Sequence, residues 1–493
     1  MTTSEFSVSP ENTPPSKRSM CQRTDEFKNL EGIQTPRVHS SLSYLRVQCR
    51  PKTIGLKILA FIFLHSLFTL ALSAQSRVDP DAFFKPGSIT PSSLASDVLY
   101  PEGRMFPFSF FSLGGGPNDT PLPEKELQEQ FARYKAAGFQ MFGPQYELNS
   151  RALQDAEQHG LKVAYTIKYD VNFHDKGNDV IDPQKVHAEI SRQVKDAVDH
   201  PAIVLWYLQP EELRPWRKNE MEFLETASKA IREADPKKRP IWIYDPAHAD
   251  ASRLAAIVPW VDYLGKGTYP NYVASRDQRI WVRWSIEQEI EAIKKADSKA
   301  IPLLVSEMYH DARHPPLTPE DIARIPQWVA HDNWLGLITG AKGIVVFSLR
   351  QRPSLPPEAW QAYYKAYEEL GKHILGANAL GQVLLFGETR DDISVDVTSG
   401  PAEVKLIYPP GGVKDPITYP SVSHRSIAYG PERYLFLVNS ANEPVTIVVG
   451  GMPYASVKAQ NLLAKDEPFD IGEGEFVAEL SPLEARVYRL FRR

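Results

Sequence analysis

The sequence has few cysteines and little net charge. Its 493 residues include two cysteines, Cys21 and Cys49, and both precede an apolar run at residues 58–74. The residues after that run therefore have no thiol for a disulfide, a thiolate–metal bond or a cysteine nucleophile. The 56 basic and 61 acidic residues give a formal net charge of -5. This balance gives no electrostatic reason to expect nucleic-acid binding.

Several catalytic motifs are also missing. The sequence contains no G-x-S-x-G nucleophile elbow, and its Gly-Gly-Gly run at 114–116 lacks the spacing of a dinucleotide-binding loop. His310 and His314 lie close to Asp311, but two prolines follow them. That pattern is better explained by a loop than by a metal site. We therefore expect neither a metal nor a cofactor.

The amino-terminal part has the composition of an export leader. Residues 1–53 are rich in Ser, Thr, Pro and charge, which predicts a disordered lead. In residues 54–74 an apolar run follows basic residues and ends in small ones, which predicts a signal peptide cleaved near Ala74 or an uncleaved membrane anchor. The long lead favours the anchor, or a start codon assigned too early, and a buried core helix is a third reading. With a signal or an anchor, the rest of the chain would be exported: periplasmic, extracellular, or anchored and facing outward.

A linker-like stretch at 75–100 precedes a regular alternation of apolar runs and amphipathic patterns. Between about residues 101 and 378 these predict eight strands and eight helices, and hence a (β/α)8 TIM barrel. The predicted strands cover 105–113, 139–145, 161–170, 202–211, 240–245, 261–269, 301–307 and 343–349. The predicted helices cover 124–137, 150–159, 183–198, 219–234, 251–258, 286–296, 318–339 and 357–375.

The pattern changes in residues 379–493. Short alternating runs separated by Gly, Pro, Asn and Asp predict an all-β sandwich. The predicted strands there are 381–388, 392–397, 403–408, 434–439, 446–451 and 485–491.

Polar residues that end barrel strands are candidates for a site, because the carboxyl ends of the strands meet at one rim. Two acids at this rim suit glycoside hydrolysis, in which one carboxylic acid protonates the leaving oxygen and a second carboxylate acts at the anomeric carbon. A surface or rim acid paired with Lys or Arg is the alternative for either acid alone. The candidates are Gln145, Lys168, Glu211, Asp245, Tyr269, Glu307 and Arg350.

The segment HPAIVLWYLQPE at 200–211 resembles the fourth-strand signature H-P-s-i-x-x-W-s-l-x-N-E of the large retaining clan of TIM-barrel glycoside hydrolases, especially its β-galactosidase and β-glucuronidase branch. The segment IPLLVSE at 301–307 resembles that clan's seventh strand, P-x-x-x-S-E. The resemblance covers the barrel. It implies that Glu211 is the acid/base and Glu307 the nucleophile of a retaining enzyme. Tyr269 in Gly-Thr-Tyr-Pro is similar to the sixth-strand tyrosine that hydrogen-bonds the nucleophile.

The sequence departs from the clan at Pro210, where Asn, or Asp in some branches, usually contacts the sugar. Proline offers no side-chain donor and no N–H. A shift of one residue would make Glu212 the catalytic acid instead of Glu211, and a glycan-binding barrel without turnover is the alternative function. We expect a carbohydrate partner, held by Tyr269, Gln145, Lys168, Asp245, Glu212, Trp206 and Arg350.

Aromatic residues are also expected near the barrel mouth, where sugar C–H faces could stack on them. They are Trp206, Tyr207, Trp216, Tyr244, Tyr269, Tyr272, Trp281, Trp284 and Tyr309. Trp206 and Tyr207 are adjacent in a strand and must point in opposite directions. Trp281 and Trp284 could equally pack in a helix.

Overall fold

The structure is a computed structural model in which a defined set of residues can be described. These are 78–87, 105–113, 120, 122–145, 150–171, 173, 180–271, 277–312, 314–407 and 415–493. They all belong to one compact unit, Ser76–Arg493. The predicted disordered lead and the apolar run at 58–74 lie outside the described residues. Within the described ranges, no helix is both long enough and apolar enough to cross a membrane.

The first domain is built on parallel strands. They are β1 (Phe108–Phe110), β2 (Met141–Phe142), β3 (Lys162–Lys168), β4 (Ile203–Gln209), β5 (Ile241–Asp245), β6 (Tyr263–Thr268), β7 (Ile301–Pro302), β8 (Leu304–Glu307) and β9 (Ile344–Phe347). Their order in the sheet is β1-β9-β8-β6-β5-β4-β3-β2, with β7 also beside β6, and every pair is parallel.

The two ends of this sheet meet and close a barrel. The N–H of Gly143, just after β2, donates to the Phe110 carbonyl of β1 over 3.1 Å. The strand at 301–307 is interrupted at Leu303, so β7 and β8 together fill one of the eight strand positions. The TIM-barrel prediction is confirmed, and each predicted strand contains an observed one.

Most of the described helices follow barrel strands, whereas the first precedes β1 and the last leads into the sandwich. They are α1 (Pro80–Phe83), α2 (Glu124–Ala136), α3 (Ser150–His159), α4 (Pro183–Ala197), α5 (Lys218–Ala234), α6 (Ala251–Ala255), α7 (Trp281–Lys295), α8 (Pro319–Thr339), α9 (Pro357–Leu375) and α10 (Leu380–Phe386). Helix α8 starts at a capping box, in which Thr318 and Asp321 each accept the other's backbone N–H. Helix α7 begins five residues before its predicted start, because Trp281 and Trp284 pack into the core and belong to its first turns.

The second domain is antiparallel. Its strands are β10 (Glu388–Arg390), β11 (Ser394–Ser399), β12 (Glu403–Leu406), β13 (Ile417–Pro420), β14 (Val422–Tyr429), β15 (Glu432–Asn439), β16 (Val445–Gly450), β17 (Val457–Asn461), β18 (Phe469–Ile471), β19 (Phe476–Leu480) and β20 (Ala485–Arg492). A six-stranded sheet, β10-β14-β15-β20-β17-β18, packs on a three-stranded sheet, β11-β16-β19, and β12 pairs with β13. Leu435 and Leu437 of the first sheet share a core with Ile447 and Val449 of the second. The sandwich prediction is confirmed.

One predicted strand is wrong. Most of residues 381–388 lie in helix α10, which ends at Phe386. Val383, Leu384 and Leu385 are consecutive and all buried. A short apolar run that is covered on every side has no alternation by which a strand can be told from a helix.

The described part of the predicted linker, residues 78–87, is folded onto the sandwich. Phe83 and Phe84 belong to the sandwich core, and Arg433 donates to the Phe83 carbonyl over 2.9 Å. A bridge between Gly87 and Gly430 adds a backbone contact. This segment therefore enters the compact unit before the first barrel strand begins.

Candidate active site

Glu211 follows β4 at the carboxyl-terminal rim of the barrel. Along β4, Trp206 points outward and Tyr207 points into the barrel, as the alternation of strand side chains requires. The Tyr207 ring packs on Phe111 and Trp242, with ring centroids 5.5 and 4.9 Å away. The Tyr207 hydroxyl donates a hydrogen bond to the Glu211 carboxyl group. A packed inward tyrosine thus orients the candidate acid/base.

The environment of Glu211 favours its protonated form. Burial raises the pKa of the Glu211 carboxyl well above its usual value, and the neighbouring carboxylates of Glu212 and Asp245 raise it further. A general acid must carry a proton at the working pH, so this shift has the sign that the proposed role needs.

Glu212 has a different environment. Its N–H donates to the Tyr244 carbonyl over 3.0 Å. Burial raises the pKa of Glu212, and the Arg253 guanidinium opposes that rise. Arg253 is held by the Leu213 carbonyl, 3.0 Å from its Nη2. A cation is therefore fixed beside Glu212.

Glu307 ends β8 and is only 4 % exposed. The Asn271 N–H donates to its Oε2 over 3.0 Å, and the Tyr367 hydroxyl donates to its backbone carbonyl over 2.7 Å. Arg279 interacts with it electrostatically. A hydrogen-bond donor and a nearby cation stabilise a carboxylate in preference to a carboxylic acid.

Tyr269 interacts electrostatically with both acids. Burial raises the pKa of its hydroxyl well above the usual value, and the charges of Glu211, Glu212 and Glu307 all raise it further. Glu211 follows β4 and Glu307 ends β8, both parallel strands of one barrel, so the two glutamates belong to the same carboxyl-terminal rim.

Aromatic packing holds Tyr269 in place. Its ring stacks on Tyr244, with centroids 6.5 Å apart, and on Phe347, with centroids 5.7 Å apart. Gly267 makes this arrangement possible, because a Cβ there would lie 2.5 Å from both the Tyr244 hydroxyl and the Tyr269 ring. A side chain at Gly267 would displace both tyrosines.

Three other predicted site residues lie at the same rim. The Gln145 amide donates to the Leu113 carbonyl over 2.8 Å. Lys168 ends β3 with an exposed side chain, on the strand face that Thr166 also occupies. Arg350 follows β9 and is partly exposed.

The prediction for Trp206 is wrong, because its side chain is fully buried between the barrel and the helices. Its indole N–H donates to Asp235 over 2.8 Å, and Arg239 covers the ring at 5.3 Å. A substrate at the mouth cannot reach it.

The prediction for Asp245 as a substrate contact is also wrong. Asp245 is 0 % exposed, and neither carboxylate oxygen has a hydrogen-bond partner. Burial raises its pKa to about 7, with Arg253 and Lys266 opposing the rise and Glu212 adding to it. Its partner in the register is Lys266 of β6, whose pKa burial lowers to about 7. Asp245 acts on the site through its charge.

The remaining predicted aromatic residues differ in where they lie and how exposed they are. Trp216 is 68 % exposed, with Arg253 at 5.2 Å from its ring. Tyr309 contacts Phe347, with centroids 6.1 Å apart. Trp281 and Trp284 are buried in α7. Tyr272 lies outside the described residues.

Two residues at the site escaped the sequence reasoning. Asn271 and Arg279 follow β6, and both are buried within hydrogen-bond distance of each other. The sequence around Asn271 and Arg279 does not predict that their side chains are buried. In the described part of the chain, no group of three or more His, Cys, Asp and Glu side chains is placed to hold a metal ion.

Comparison with known proteins gives similarity at the level of the fold. No protein-family model and no curated protein matches the chain. Among solved structures, it is similar to an α-amylase from Geobacillus thermoleovorans complexed with acarbose, at 11% identity over 78% of this chain and 98% of the other, with a TM-score of 0.48. It is also similar to a glycoside hydrolase family 5 protein from Bacteroides vulgatus, at 12% identity over 84% of this chain and 95% of the other, with a TM-score of 0.49. A GH30 endoxylanase from Clostridium papyrosolvens is similar at 13% identity over 79% of this chain and 96% of the other, with a TM-score of 0.45.

The charge of Asp245 predicts a pH-dependent gain in stability for Asp245→Asn. The pKa of Asp245 is higher in the folded protein than its usual 3.8, so the folded state loses stability as the pH rises from about 4 to 7. The uncharged amide of Asn at position 245 does not ionise, so the variant does not lose this stability. We expect the free energy of unfolding of the variant, relative to the natural protein, to rise by about 2 kcal/mol between pH 5 and pH 7. Denaturant unfolding at both pH values measures this, and a pH-independent difference would contradict it.

Proposed function

We propose that the protein is a glycoside hydrolase that acts on an oligo- or polysaccharide with retention of configuration and without a cofactor. The observation that supports the proposal is that Glu211 and Glu307 stand at the carboxyl ends of two parallel strands of one barrel, with Tyr269 interacting electrostatically with both. Sugar hydrolysis needs two carboxyl groups at one such rim.

The environments of the two acids support different roles. Glu211 has a raised pKa and accepts from Tyr207, so it is the proton donor to the departing glycosidic oxygen. Glu307, with the Asn271 N–H and the Arg279 cation nearby, is the nucleophile that bonds to the anomeric carbon. In the second step, ionised Glu211 takes a proton from water, and the water oxygen replaces Glu307 at the same carbon.

Arg253 favours Glu211 over Glu212 as the acid/base. Because this cation lies beside Glu212, it stabilises the ionised form of Glu212. The negative charge of Glu212 in turn raises the pKa of Glu211. Because their neighbours differ, Glu211 serves as the proton donor and the charge of Glu212 raises its pKa.

The proposed substrate contacts are the rim residues Tyr269, Gln145, Lys168, Glu212 and Arg350. They offer amide, ammonium, guanidinium, carboxylate and hydroxyl groups suited to sugar hydroxyls.

A glycan-binding barrel without turnover is the second candidate, and Pro210 is the observation that favours it. This residue stands where the resembled clan has an amide or carboxylate that contacts the sugar, and proline supplies neither a side-chain donor nor an N–H. A panel of 4-nitrophenyl α- and β-glycosides and soluble polysaccharides, assayed for product and for binding by calorimetry, separates the two. Binding without product on every ligand would overturn the enzyme proposal.

Export is also proposed, on the apolar run at 58–74 with its basic flank. Expression of the full chain in a bacterial host should deliver the barrel and sandwich across the cytoplasmic membrane. Amino-terminal sequencing of the mature product should start at Gln75 if the leader is cleaved after Ala74. Recovery of all the protein in the cytoplasm would contradict export.

Glu307→Gln should lower kcat on the best substrate of the panel by at least about 10³-fold, equivalent to about 4 kcal/mol of transition-state stabilisation. The amide keeps the shape of the side chain and removes the nucleophile. Glu289→Gln is the matched control, because Glu289 is also a buried glutamate but lies in α7, outside the mouth. Natural turnover in Glu307→Gln would refute the assignment.

Glu211→Gln and Glu212→Gln should behave differently. Loss of the proton donor should lower the rate by about 10²-fold or more on a substrate with a poor leaving group, and much less on a 2,4-dinitrophenyl glycoside that leaves without protonation. Glu212→Gln should keep most of its activity but shift the basic limb of the kcat/KM profile to lower pH, because a charge that raises the pKa of Glu211 is gone. If the leaving-group dependence appears in Glu212→Gln instead, the assignment of the acid belongs to Glu212.

A further inference from the structure

A chain of polar side chains runs from the sandwich to Glu307. It begins at Ser440, just after β15, passes through α8, and reaches the loop that follows β6. Its members are Ser440, His331, Asp332, Arg279, Asn271 and Glu307, and each is at most 4 % exposed. Water can therefore not replace these contacts easily, and each group depends on its neighbours in the chain.

The sandwich half of the chain has short contacts. Ser440 Oγ lies 3.0 Å from His331 Nε2, and His331 Nδ1 lies 2.8 Å from Asp332 Oδ1. Burial lowers the pKa of His331, which keeps the imidazole neutral near pH 7. A neutral imidazole can donate from one nitrogen and accept at the other, so it can link a hydroxyl to a carboxylate.

Arg279 connects this half to the barrel mouth. Its Nε and Nη2 donate to the two oxygens of Asp332 over 2.9 and 2.5 Å, and its Nη1 donates to Asn271 Oδ1 over 3.0 Å. Burial alone would raise the pKa of Asp332, but Arg279 and His331 hold it below its usual value. A planar guanidinium with three hydrogen bonds to two fixed residues has little freedom to move.

Asn271 transmits this position to Glu307. Its Nδ2 donates to the Tyr363 hydroxyl over 3.0 Å, so the side-chain amide is held at both ends. Its own backbone N–H donates to Glu307 Oε2 over 3.0 Å. A shift of the Asn271 side chain would therefore move the donor that orients the carboxylate.

We propose that Arg279 is a positioning residue for Glu307, and that the sandwich fixes Arg279 through Ser440, His331 and Asp332. The sandwich thereby takes part in the geometry of the candidate active site. The catalytic meaning of this proposal rests on the proposed function of Glu307 as nucleophile. The structural linkage can be tested without it.

A second contact between the domains provides the comparison. Arg283 of α7 donates to Ser423 Oγ of the sandwich over 3.1 Å, and it also binds Glu287 over 2.9 Å. Glu287 in turn accepts from the Tyr419 hydroxyl over 2.9 Å. None of these hydrogen bonds leads to Glu307. If the sandwich only braces the barrel, the two serine contacts should be equivalent.

The first test compares kcat and KM on the best 4-nitrophenyl glycoside of the panel. Arg279→Lys keeps the positive charge but cannot hold Asp332 and Asn271 together. We expect kcat to fall by about 10²-fold with KM changed by less than about threefold, because a small misplacement of a reacting group slows the chemical step. Ser440→Ala is the milder variant, with an expected fall in kcat of about threefold to tenfold.

Matched controls separate positioning from loss of stability. Arg239→Lys removes a second buried Arg–Asp contact, with Asp235, on the outer side of the barrel. Ser423→Ala removes the other serine contact with the barrel. Both controls should lower the unfolding temperature about as much as their partners do and keep kcat within about twofold. Equal losses of kcat in Arg279→Lys and Ser440→Ala and in their two controls, or no loss in any of the four, would overturn the proposal.

A thermal double-mutant cycle decides the question if no glycoside is turned over. Side chains in one hydrogen-bond network couple, whereas distant ones add. The loss of unfolding temperature in Arg279→Lys with Glu307→Gln should differ from the sum of the single losses by at least about 2 °C. Arg239→Lys with Glu307→Gln should be additive. Additivity in both pairs would refute the linkage, whereas a missing activity alone would refute only the proposed function.

Discussion

Each strand of a closed barrel can direct a side chain only into the barrel or out toward the helices, and this constraint decides which residues can form the site. Neighbours along β4 and β5 show its effect. Tyr207 and Tyr244 point inward and build the mouth, while Trp206 and Asp245, one residue away from them, are buried on the outer side. Whether a residue at a strand end can take part in the site therefore depends more on whether its side chain points into or out of the barrel than on its residue type.

Glu211 and Glu212 at the mouth interact with the buried carboxyl group of Asp245 behind it. Glu212 and Asp245 both raise the pKa of Glu211, Arg253 opposes the rise in the pKa of Glu212 and of Asp245, and Lys266 also opposes that of Asp245. Removing a carboxyl group from water favours its neutral form unless a partner compensates. Burial and the neighbouring carboxylates raise the pKa of Glu211, whereas the Glu307 carboxylate accepts the Asn271 N–H and interacts with Arg279. The two acids therefore have different electrostatic surroundings.

Much of the fold could be predicted from the sequence, because apolar runs with strand or helix periodicity reflect burial directly. All eight barrel strand positions carry that signal. The sandwich strands β14 and β17 were not predicted. Polar residues break the alternation in β14, and β17 alternates over only five residues. The positions of Glu211 and Glu307 at the mouth also follow from strand order, although their roles remain a proposal. The polar chain through Arg279 was not predictable, because its members are held by contacts between segments far apart in sequence. The one local sign is the run His331-Asp332-Asn333 inside residues 328–338 of α8, which are otherwise apolar.

The tie between the two domains follows from the same alternation. In β15, Leu435 and Leu437 point into the sandwich core, while Phe436 between them packs on Trp334 of α8, with ring centroids 5.9 Å apart. The central strand of the sandwich therefore has two buried faces, and its position is fixed on both. Ser440 follows this strand directly and meets His331, three residues before Trp334 on the same helix. Apolar packing sets the distance between β15 and α8, and the polar chain extends that fixed distance to the loop beside Glu307. A sandwich without this apolar contact could not hold the polar chain in register, because hydrogen bonds specify direction only between groups that packing has already brought together.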